Sequence, residues 1–186
     1  MTASNVNSFV AIDVETANSD CGSICQIGVV RVEQSEIVDE WQTLVDPRTP
    51  FTDRNIGIHG ITAWDVESAP TFGGIYDVVV LKLAGQVVAS HTMFDRRALR
   101  AACGIHRLEE VDCLWLDTAH VARRSWKRFR QRGYALDNVA KHLGIEFSHH
   151  DALEDARAAA LVLLRAVEQT GLTVRQWQDG QIPDQK

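Results

Sequence analysis

Two carboxylates at the end of a buried strand constrain this chain more than any other feature. The apolar run over residues 9–12 predicts a strand covered on both faces, as in the interior of a sheet. Asp13 and Glu15 follow it, and side chains two residues apart on a strand point to the same face. Two like charges beside a core are costly unless a cation neutralises them. The pair therefore indicates either a strand end where acids reach water or half of a hard-metal site.

Acids that could complete such a site occur at two later points. Asp95 lies where a predicted fourth strand gives way to a helix, so it either caps that helix or directs its carboxylate to the rim of the sheet. Asp155 falls on the packed face of a predicted helix, where a carboxylate is unusual without a partner. His150, in the loop before that helix, can reach the same region. Asp151 and Glu154 need no such role, because acids are favoured in the first turn of a helix.

Four carboxylates and one histidine could therefore meet at one edge of a sheet. To hold so many acids together would require two divalent cations roughly 4 Å apart, and oxygen ligands favour Mg²⁺ or Mn²⁺ over zinc. Such a pair of ions polarises a phosphodiester and stabilises both the attacking and the leaving oxygen. A histidine that titrates near neutrality can take the proton from the attacking water.

The order of the predicted elements favours one α/β domain. The predicted strands are residues 9–15, 24–33, 36–45, 86–89 and 111–116. The predicted helices are residues 69–83, 95–103 (ended by Gly104), 136–143, 152–168 and one opened by Asp117, with an irregular connection over 51–69. Short loops make the first three strands antiparallel, so we expect a mixed five-stranded sheet with helices on both faces. We expect a flexible N-terminus over 1–7, the domain over 8–171 and a C-terminal extension over 172–186.

Composition limits the partners and the compartment. The formal net charge is −6, so nucleic acid would have to be held by a local basic patch or through bound cations. Four cysteines lack a zinc-type pattern, which favours reduced thiols. No signal peptide or membrane-spanning run is found in the sequence, so we expect a cytoplasmic protein without a membrane partner.

One strong basic run occurs, at residues 123–132. Its cations are interleaved with Trp126 and Phe129 and comprise Arg123, Arg124, Lys127, Arg128, Arg130 and Arg132. In an acidic protein such a run could follow a phosphate backbone while its aromatic side chains stack on unpaired bases. The alternative is the solvated face of a helix.

Three motifs, in order, resemble those of the DEDDh (DnaQ-like) 3′–5′ exonucleases: Asp13-x-Glu15-Thr16, Phe94-Asp95 and His150-x4-Asp155. Secondary signatures extend the likeness from about Phe9 to Leu164, namely Gln26-Ile27-Gly28, residues 58–62, Asp117-Thr118 and Tyr134-x-Leu136. The resemblance implies a ribonuclease-H-like fold, two-metal catalysis with Mg²⁺ or Mn²⁺, and release of nucleoside 5′-monophosphates from a 3′ end. By this resemblance Asp13, Glu15, Asp95 and Asp155 are the metal ligands, with Asp13 bridging both ions. His150 is the general base, chosen over His149 by the spacing of the family.

Substrate contacts follow less directly. Thr16 could present its backbone to the terminal nucleotide. His59 either lines the 3′-terminal pocket, as the resemblance implies, or is a structural loop histidine. Many relatives carry His-Asn where this chain has Ser90-His91, which makes His91 the candidate there and leaves the contact of the asparagine open. Arg123 and Arg124 complete the predicted binding set.

The predicted substrate is the 3′ end of single-stranded DNA in preference to RNA. The stretches 94–99 and 122–124 and the pair His149-His150 are similar to stand-alone DNA exonucleases. An exoribonuclease acting on short RNA or RNA 3′ ends is the first alternative. A non-catalytic, polymerase-associated module is the second, although all five catalytic positions are filled, and an endonuclease of the wider group is the third. Several relatives dimerise, so a homodimer is also an expectation.

Overall fold

The computed structural model describes residues 7–181, so most of the predicted flexible N-terminus and the end of the tail lie outside the described residues. Its five strands are β1 (Phe9–Thr16), β2 (Ile24–Glu33), β3 (Glu36–Leu44), β4 (Val87–Ser90) and β5 (Leu114–Asp117). They form one sheet in the order β3-β2-β1-β4-β5, antiparallel across β3, β2 and β1 and parallel across β1, β4 and β5. The predicted mixed sheet with an antiparallel opening is confirmed.

Seven α-helices are described. They are α1 (Asp53–His59), α2 (Phe72–Leu83), α3 (Phe94–His106), α4 (Thr118–Ser125), α5 (Leu136–Leu143), α6 (Ala152–Thr170) and α7 (Val174–Gln178). A short 3₁₀ helix, Lys127–Phe129, follows α4. None of the described helices is both long enough and apolar enough to cross a membrane.

Helices cover both faces of the sheet, as predicted, and β1 shows how its residues are shared between them. Val10, Ile12 and Val14 pack in one core cluster with buried residues of α2 and α3. Phe9 and Ala11 pack in a second cluster with Ala156, Ala160 and Leu163 of α6. The alternation of side chains along a strand therefore assigns the odd-numbered residues of β1 to the α6 face.

Several boundaries differ from the prediction: β5 begins at residue 114 and not 111, and α2 begins at residue 72 and not 69. Two further differences have identifiable reasons. Residues 51–69 are not wholly irregular, because Thr52 caps α1 by accepting a hydrogen bond from the Asn55 amide. The helix α3 does not end at Gly104 but continues to His106, and the left-handed residue that ends it is Arg107. A methyl group on Gly104 would meet nothing within 4 Å, so this glycine is neither a cap nor a packing requirement.

The C-terminal helix α7 belongs to the packed structure. Val174 and Trp177 are buried in the second core cluster, and the amide of Val174 donates to the side-chain oxygen of Asn7 at 3.3 Å. The first part of the predicted extension thus packs against the sheet. All four cysteines are free thiols, as predicted.

Candidate active site

The carboxylates of β1 continue the face that packs on α6. Asp13 and Glu15 follow Phe9 and Ala11 in the alternation of β1, and both are only partly accessible to solvent. They stand where the strand emerges from the core, so their carboxylates lie between the sheet and the N-terminal end of α6.

Gly28 and Gln26 seat α6 against the sheet at this point. Gly28 pairs with Asp13 in the β1–β2 register, and a Cβ built on it would lie 2.3 Å from backbone atoms of Ala152. The amide of Ala152 also donates to the side-chain oxygen of Gln26 at 3.1 Å. Because only glycine permits this approach, α6 begins directly over β2 and its first turn is held near the carboxylates of β1.

Asp155 completes a carboxylate cluster in that first turn. It is 3% exposed, and it offers an oxygen that lies within 4.8 Å of one oxygen each from Asp13 and Glu15. Asp151, by contrast, caps α6 by accepting from the amides of Leu153 and Glu154, which confirms the purely structural explanation for that acid.

Asp95 approaches the cluster from the opposite helix layer. It is 2% exposed, and its Oδ1 accepts a hydrogen bond from the backbone amide of Val14 at 3.0 Å, between Asp13 and Glu15 in sequence. The N-cap position of α3 is Met93, which makes no side-chain capping bond. Of the two explanations for Asp95, the cap is therefore wrong, and the carboxylate is directed at the sheet.

The electrostatics of the cluster are those of crowded acids. Burial raises the pKa of Asp13 well above its ordinary value, and the charges of Asp95, Asp155 and Glu15 raise it further. Burial, followed by the charges of Asp155 and Asp95, raises the pKa of Glu15 to about 8. Burial likewise raises the pKa of Asp95 to about 7. In the absence of a cation these carboxylates cannot all be ionised together at neutral pH.

Two adjacent histidines border the cluster. The Nδ1–H of His149 donates to Oδ1 of Asp155 at 2.8 Å, while the backbone amide of His150 donates to Oδ2 of Asp155 at 2.8 Å. His150 has a positive φ of 69°, and its Nδ1 lies 3.9 Å from Oε1 of Glu15. The two rings stack with centroids 3.9 Å apart. Burial, and then the neighbouring His149, lower the pKa of His150, so its imidazole is neutral at physiological pH.

Thr16 and His59 are joined to each other. The Nε2–H of His59 donates to the carbonyl of Thr16 at 3.1 Å, and its Nδ1 accepts from the amide of Ile61 at 3.0 Å. The side-chain amide of Asn55 donates to the same carbonyl at 2.8 Å. Burial lowers the pKa of His59, in keeping with this neutral tautomer. The end of β1 is thus tied to α1, and the Thr16 carbonyl is already engaged.

His91 has a structural role in this geometry. Its Nε2–H donates to the carbonyl of Tyr134 at 2.7 Å, and its Nδ1 accepts from the hydroxyl of Thr118 at 2.9 Å. Burial lowers the pKa of His91, which favours the neutral ring that this pattern needs. His91 nevertheless lines the cavity beside the carboxylates, and its predicted contact with substrate stays a prediction.

Arg123 and Arg124 lie at the end of α4, outside the cavity that the carboxylates line, and their substrate role stays a prediction. One part of the interpretation of the basic run is wrong. Phe129 is 1% exposed and packs in a third core cluster, so it cannot stack on a base.

A cavity of about 710 Å³ opens over the cluster and contains groups that sequence reasoning missed. Beside the predicted acids and histidines, its walls include Arg54 and Asn55 of α1, which sequence reasoning missed. Ile58, Phe94 and Leu136 also line it, and they lie in the motif stretches, where they were given no role. The cap signal at Thr52 could have revealed α1 and with it Asn55. Nothing in the local sequence indicated that Arg54 would face the cavity.

The fold and this site define a nuclease: an RNase H-like mixed sheet whose strand ends gather carboxylates around a cavity. A family model described as an exonuclease of the ribonuclease T type matches residues 10–163. The chain belongs to this family, the DnaQ-like DEDDh exonucleases.

Individual relatives agree with that assignment. The chain is 31% identical to Exodeoxyribonuclease 10 of Escherichia coli over 173 residues, which cover 90% of this chain and 72% of the relative. It is 34% identical over 166 residues to the PolC-type DNA polymerase III of Thermotoga petrophila, where the match covers 86% of this chain and 12% of the relative. The chain thus spans about an eighth of the PolC-type proteins.

Solved structures place the fold in the same group. Exonuclease X in complex with 5′ overhanging duplex DNA superposes with a TM-score of 0.76 at 28% identity, covering 91% of this chain and 97% of that one. The nuclease domain of 3′hExo, a DEDDh family member bound to rAMP, has a TM-score of 0.70 at 23% identity and covers 88% and 92% of the two chains. The second likeness supports the fold alone.

Proposed function

We propose that this chain is a two-metal-dependent 3′–5′ exonuclease that releases nucleoside 5′-monophosphates from single-stranded DNA. The observation that carries the proposal is the convergence of Asp13, Glu15 and Asp155 within 4.8 Å, with buried Asp95 bonded to the strand between the first two. Among residues 7–181, no lysine or arginine forms an ion pair with any of these four carboxylates. A pair of divalent cations explains why four acids gather at the mouth of one cavity.

The donor set fits such ions. Carboxylate oxygens are the ligands that Mg²⁺ and Mn²⁺ prefer. The raised pKa values of Asp13, Glu15 and Asp95 arise from burial and mutual repulsion, which bound cations would relieve. Asp13, Glu15, Asp95 and Asp155 would hold the ions. When bound, they would supply Lewis-acid stabilisation to the attacking and leaving oxygens of the phosphodiester.

His150 is proposed as the general base. Its imidazole is neutral at physiological pH, as a base must be, and it lies at the cavity within 3.9 Å of Glu15. His149 holds Asp155 through Nδ1 and stacks on the His150 ring, which makes it a positioning residue for both groups.

The remaining walls are proposed to receive the terminal nucleotide. The cavity of about 710 Å³ is bounded by α1 on one side and by residues 135–136 on another. We propose that these walls admit only the terminal nucleotide of a nucleic-acid strand. Thr16 and His59 support this wall through their mutual hydrogen bond, and we propose that they shape the pocket. Phe94 and Ile58 offer apolar surface against which a base could pack.

DNA is proposed over RNA because two relatives that are similar at 28–31% identity are described as acting on or binding DNA. Both Exodeoxyribonuclease 10 and the exonuclease X complex with DNA cover at least 90% of this chain. By analogy with the PolC-type relatives, association with a polymerase is proposed as a separate property.

The test uses matched 5′-labelled single-stranded DNA and RNA of one sequence, with Mg²⁺, Mn²⁺ or EDTA. The proposal predicts a ladder that shortens from the 3′ end on DNA, requires the metal and is absent with Asp13→Ala. Faster digestion of RNA would favour the exoribonuclease alternative. The absence of digestion of either strand, with metal bound, would contradict the catalytic assignment.

A further inference from the structure

The basic segment, defined as residues 123–132, has an unusual charge environment. It holds six of the 19 lysines and arginines of the chain, and no aspartate or glutamate occurs between Thr118 and Leu136. The remaining residues carry 13 cations against all 25 acids, a formal charge of −12. A polyanion would therefore be repelled by most of the surface and attracted here.

Three cations of the basic segment form no ion pair among the described residues. Seven cations elsewhere pair with acids among residues 7–181, namely Arg31, Arg48, Lys82, Arg100, Arg157, Arg165 and Arg175. Within the segment, Arg124, Lys127 and Arg132 are exposed and have no ion pair with a carboxylate of the described part of the chain. Their charges are available to an external anion.

Packing turns the basic segment into a fixed platform. Buried Phe129 contacts the rings of Trp126 and His142, with centroids 6.4 Å and 5.3 Å away. The side chain of Arg123 closes the loop by donating to the carbonyl of Arg130 at 3.3 Å. The two aromatic residues anchor the segment from beneath, so its cations are held on the outer surface.

The platform is continuous with the wall of the cavity. Ala135 and Leu136, which follow the segment closely in sequence, line the cavity beside Asp13 and His150. The guanidinium of Arg123 lies 4.8 Å from the ring centre of Tyr134, whose carbonyl is held by His91. A nucleic-acid strand whose 3′ nucleotide occupies the cavity would therefore lie next to the cations of the basic segment.

We infer that the basic segment is a second nucleic-acid site, which binds the backbone phosphates of the single strand on the 5′ side of the nucleotide in the cavity. The inference rests on the proposed function for the direction in which the strand runs. Because the contacts are to phosphates and not to base edges, the site adds affinity and length dependence without sequence preference. Arg124, Lys127 and Arg132 are its principal contacts, while Arg123 also supports the Tyr134 ring.

The test is equilibrium binding of labelled single-stranded DNA of 20 and of 3 nucleotides, measured by anisotropy in EDTA over a series of salt concentrations. The triple variant Arg124→Gln, Lys127→Gln, Arg132→Gln is compared with the matched control Arg31→Gln, Arg165→Gln, Arg175→Gln, which changes the net charge equally. Because the segment variant lacks three phosphate-binding cations, we expect its affinity for the 20-mer to fall at least about tenfold and its slope of log K against log salt to shrink by about 2. The control should retain the slope and the affinity of the wild type.

Three results would overturn the inference. The first is an unchanged salt slope in the segment variant, and the second is an equal loss of affinity in the control, which would attribute the effect to net charge. A segment variant that still prefers the 20-mer over the 3-mer as strongly as the wild type would also overturn it. These measurements need no hydrolysis. A chain that degrades DNA but binds it independently of the segment would contradict this inference alone, whereas segment-dependent binding without metal-dependent digestion would contradict the proposed function alone.

Discussion

Two regions of this molecule gather charges of one sign, and they do so at opposite extremes of solvation. The carboxylate cluster buries Asp95 and Asp155 at 2% and 3% exposure, whereas the basic segment leaves nearly all of its cations in water. In the cluster, burial and mutual repulsion raise the pKa of Glu15 to about 8. The cations of the segment are spread over a surface where water screens them.

The contrast separates two ways of binding an anionic polymer. Buried acids repel one another, and they repel a phosphate too, unless cations bind between them. Under the proposed function, the cluster therefore becomes a reaction site only when metal is bound. Exposed cations are stable without a ligand, so the basic segment is ready to bind before any metal enters. We therefore expect changes in the cluster to affect metal-dependent activity, and changes in the basic segment to affect the binding of nucleic acid without metal.

The largest effect is expected in the carboxylate cluster, from the substitution Asp13→Asn. This isosteric change removes one charge from the cluster and with it one of the proposed metal ligands. We expect the rate on single-stranded DNA to fall at least about 1,000-fold, since bound metal contributes several kcal/mol of transition-state stabilisation. Glu168→Gln, which neutralises an exposed acid paired with Arg165, is the control and should digest at the wild-type rate. Comparable activity in both variants would contradict the role of the cluster.

A second test asks which histidine serves the cluster. We expect His150→Ala to lower kcat by about 100-fold or more, the usual contribution of a general base. His149→Phe keeps a ring that can stack on His150 but removes the bond to Asp155, so its effect on kcat should be smaller than about tenfold. Single-turnover digestion measures both. If His149→Phe were the more damaging change, the assignment of the base would pass to His149.

A third test moves the cluster apart without changing its charges. Gly28→Ala places a methyl group against the backbone of Ala152, where the added Cβ would be 2.3 Å away, so α6 and Asp155 must shift. We expect a loss of about 1–3 kcal/mol in the free energy of unfolding, as in other overpacked sites, together with reduced activity.

Gly104→Ala is the matched control. Gly104 lies within the helix α3, and a Cβ added to it would have no atom within 4 Å. This change should stabilise the protein by about 0.5–1 kcal/mol. Denaturant unfolding of both variants measures the effects. A Gly28→Ala protein as stable and active as the wild type would show that α6 is not seated by this glycine.

The smallest effect is expected from pH on the metal-free protein. The ordinary pKa values of the cluster acids are 3.8 and 4.5, and folding raises those of Glu15 and Asp95 to about 8 and about 7. Between about pH 4 and 8 the folded state therefore binds more protons than the unfolded state, so stability falls as the pH rises through this window.

Thermal unfolding in EDTA should accordingly give a lower Tm at about pH 8.5 than at about pH 6. In the Asp13→Asn protein the difference should shrink, because the carboxyl of Asp13, whose own pKa is raised by burial, no longer takes up a proton. The basic segment has no such buried charges and should contribute nothing to the change. A Tm difference that is the same in the variant would contradict the electrostatic account of the cluster.

Much of this site could be predicted from the sequence because the relevant signals are local. The alternation of β1 fixes Asp13 and Glu15 on one face, and the apolar face of α6 marks Asp155 as anomalous. The contact between these elements was not local. It depends on Gly28 and Gln26, whose significance appears only when α6 is seen against β2.

Other features failed to show in the sequence for physical reasons. The helix α1 buries no residue, so it lacks the apolar periodicity by which helices are detected, and only its Thr52 cap gave a sign of it. The position of Asp95 in the sequence suits both a helix cap and a buried hydrogen-bond acceptor. The hydrogen bond from the amide of Val14, which is 81 residues away, shows that Asp95 is a buried acceptor. Phe129 lies among cations, yet long-range packing buries it.

The central claim is that divalent cations complete the carboxylate cluster, and direct titration of metal tests it best. Isothermal titration calorimetry of the metal-free protein with Mn²⁺ or Mg²⁺ should show two cations per chain, and Asp13→Asn should bind them far more weakly or lose one site. The segment variant should bind them as the wild type does. If the wild type binds no cation, or if Asp13→Asn binds metal unchanged, the cluster is not a metal site and the account is wrong.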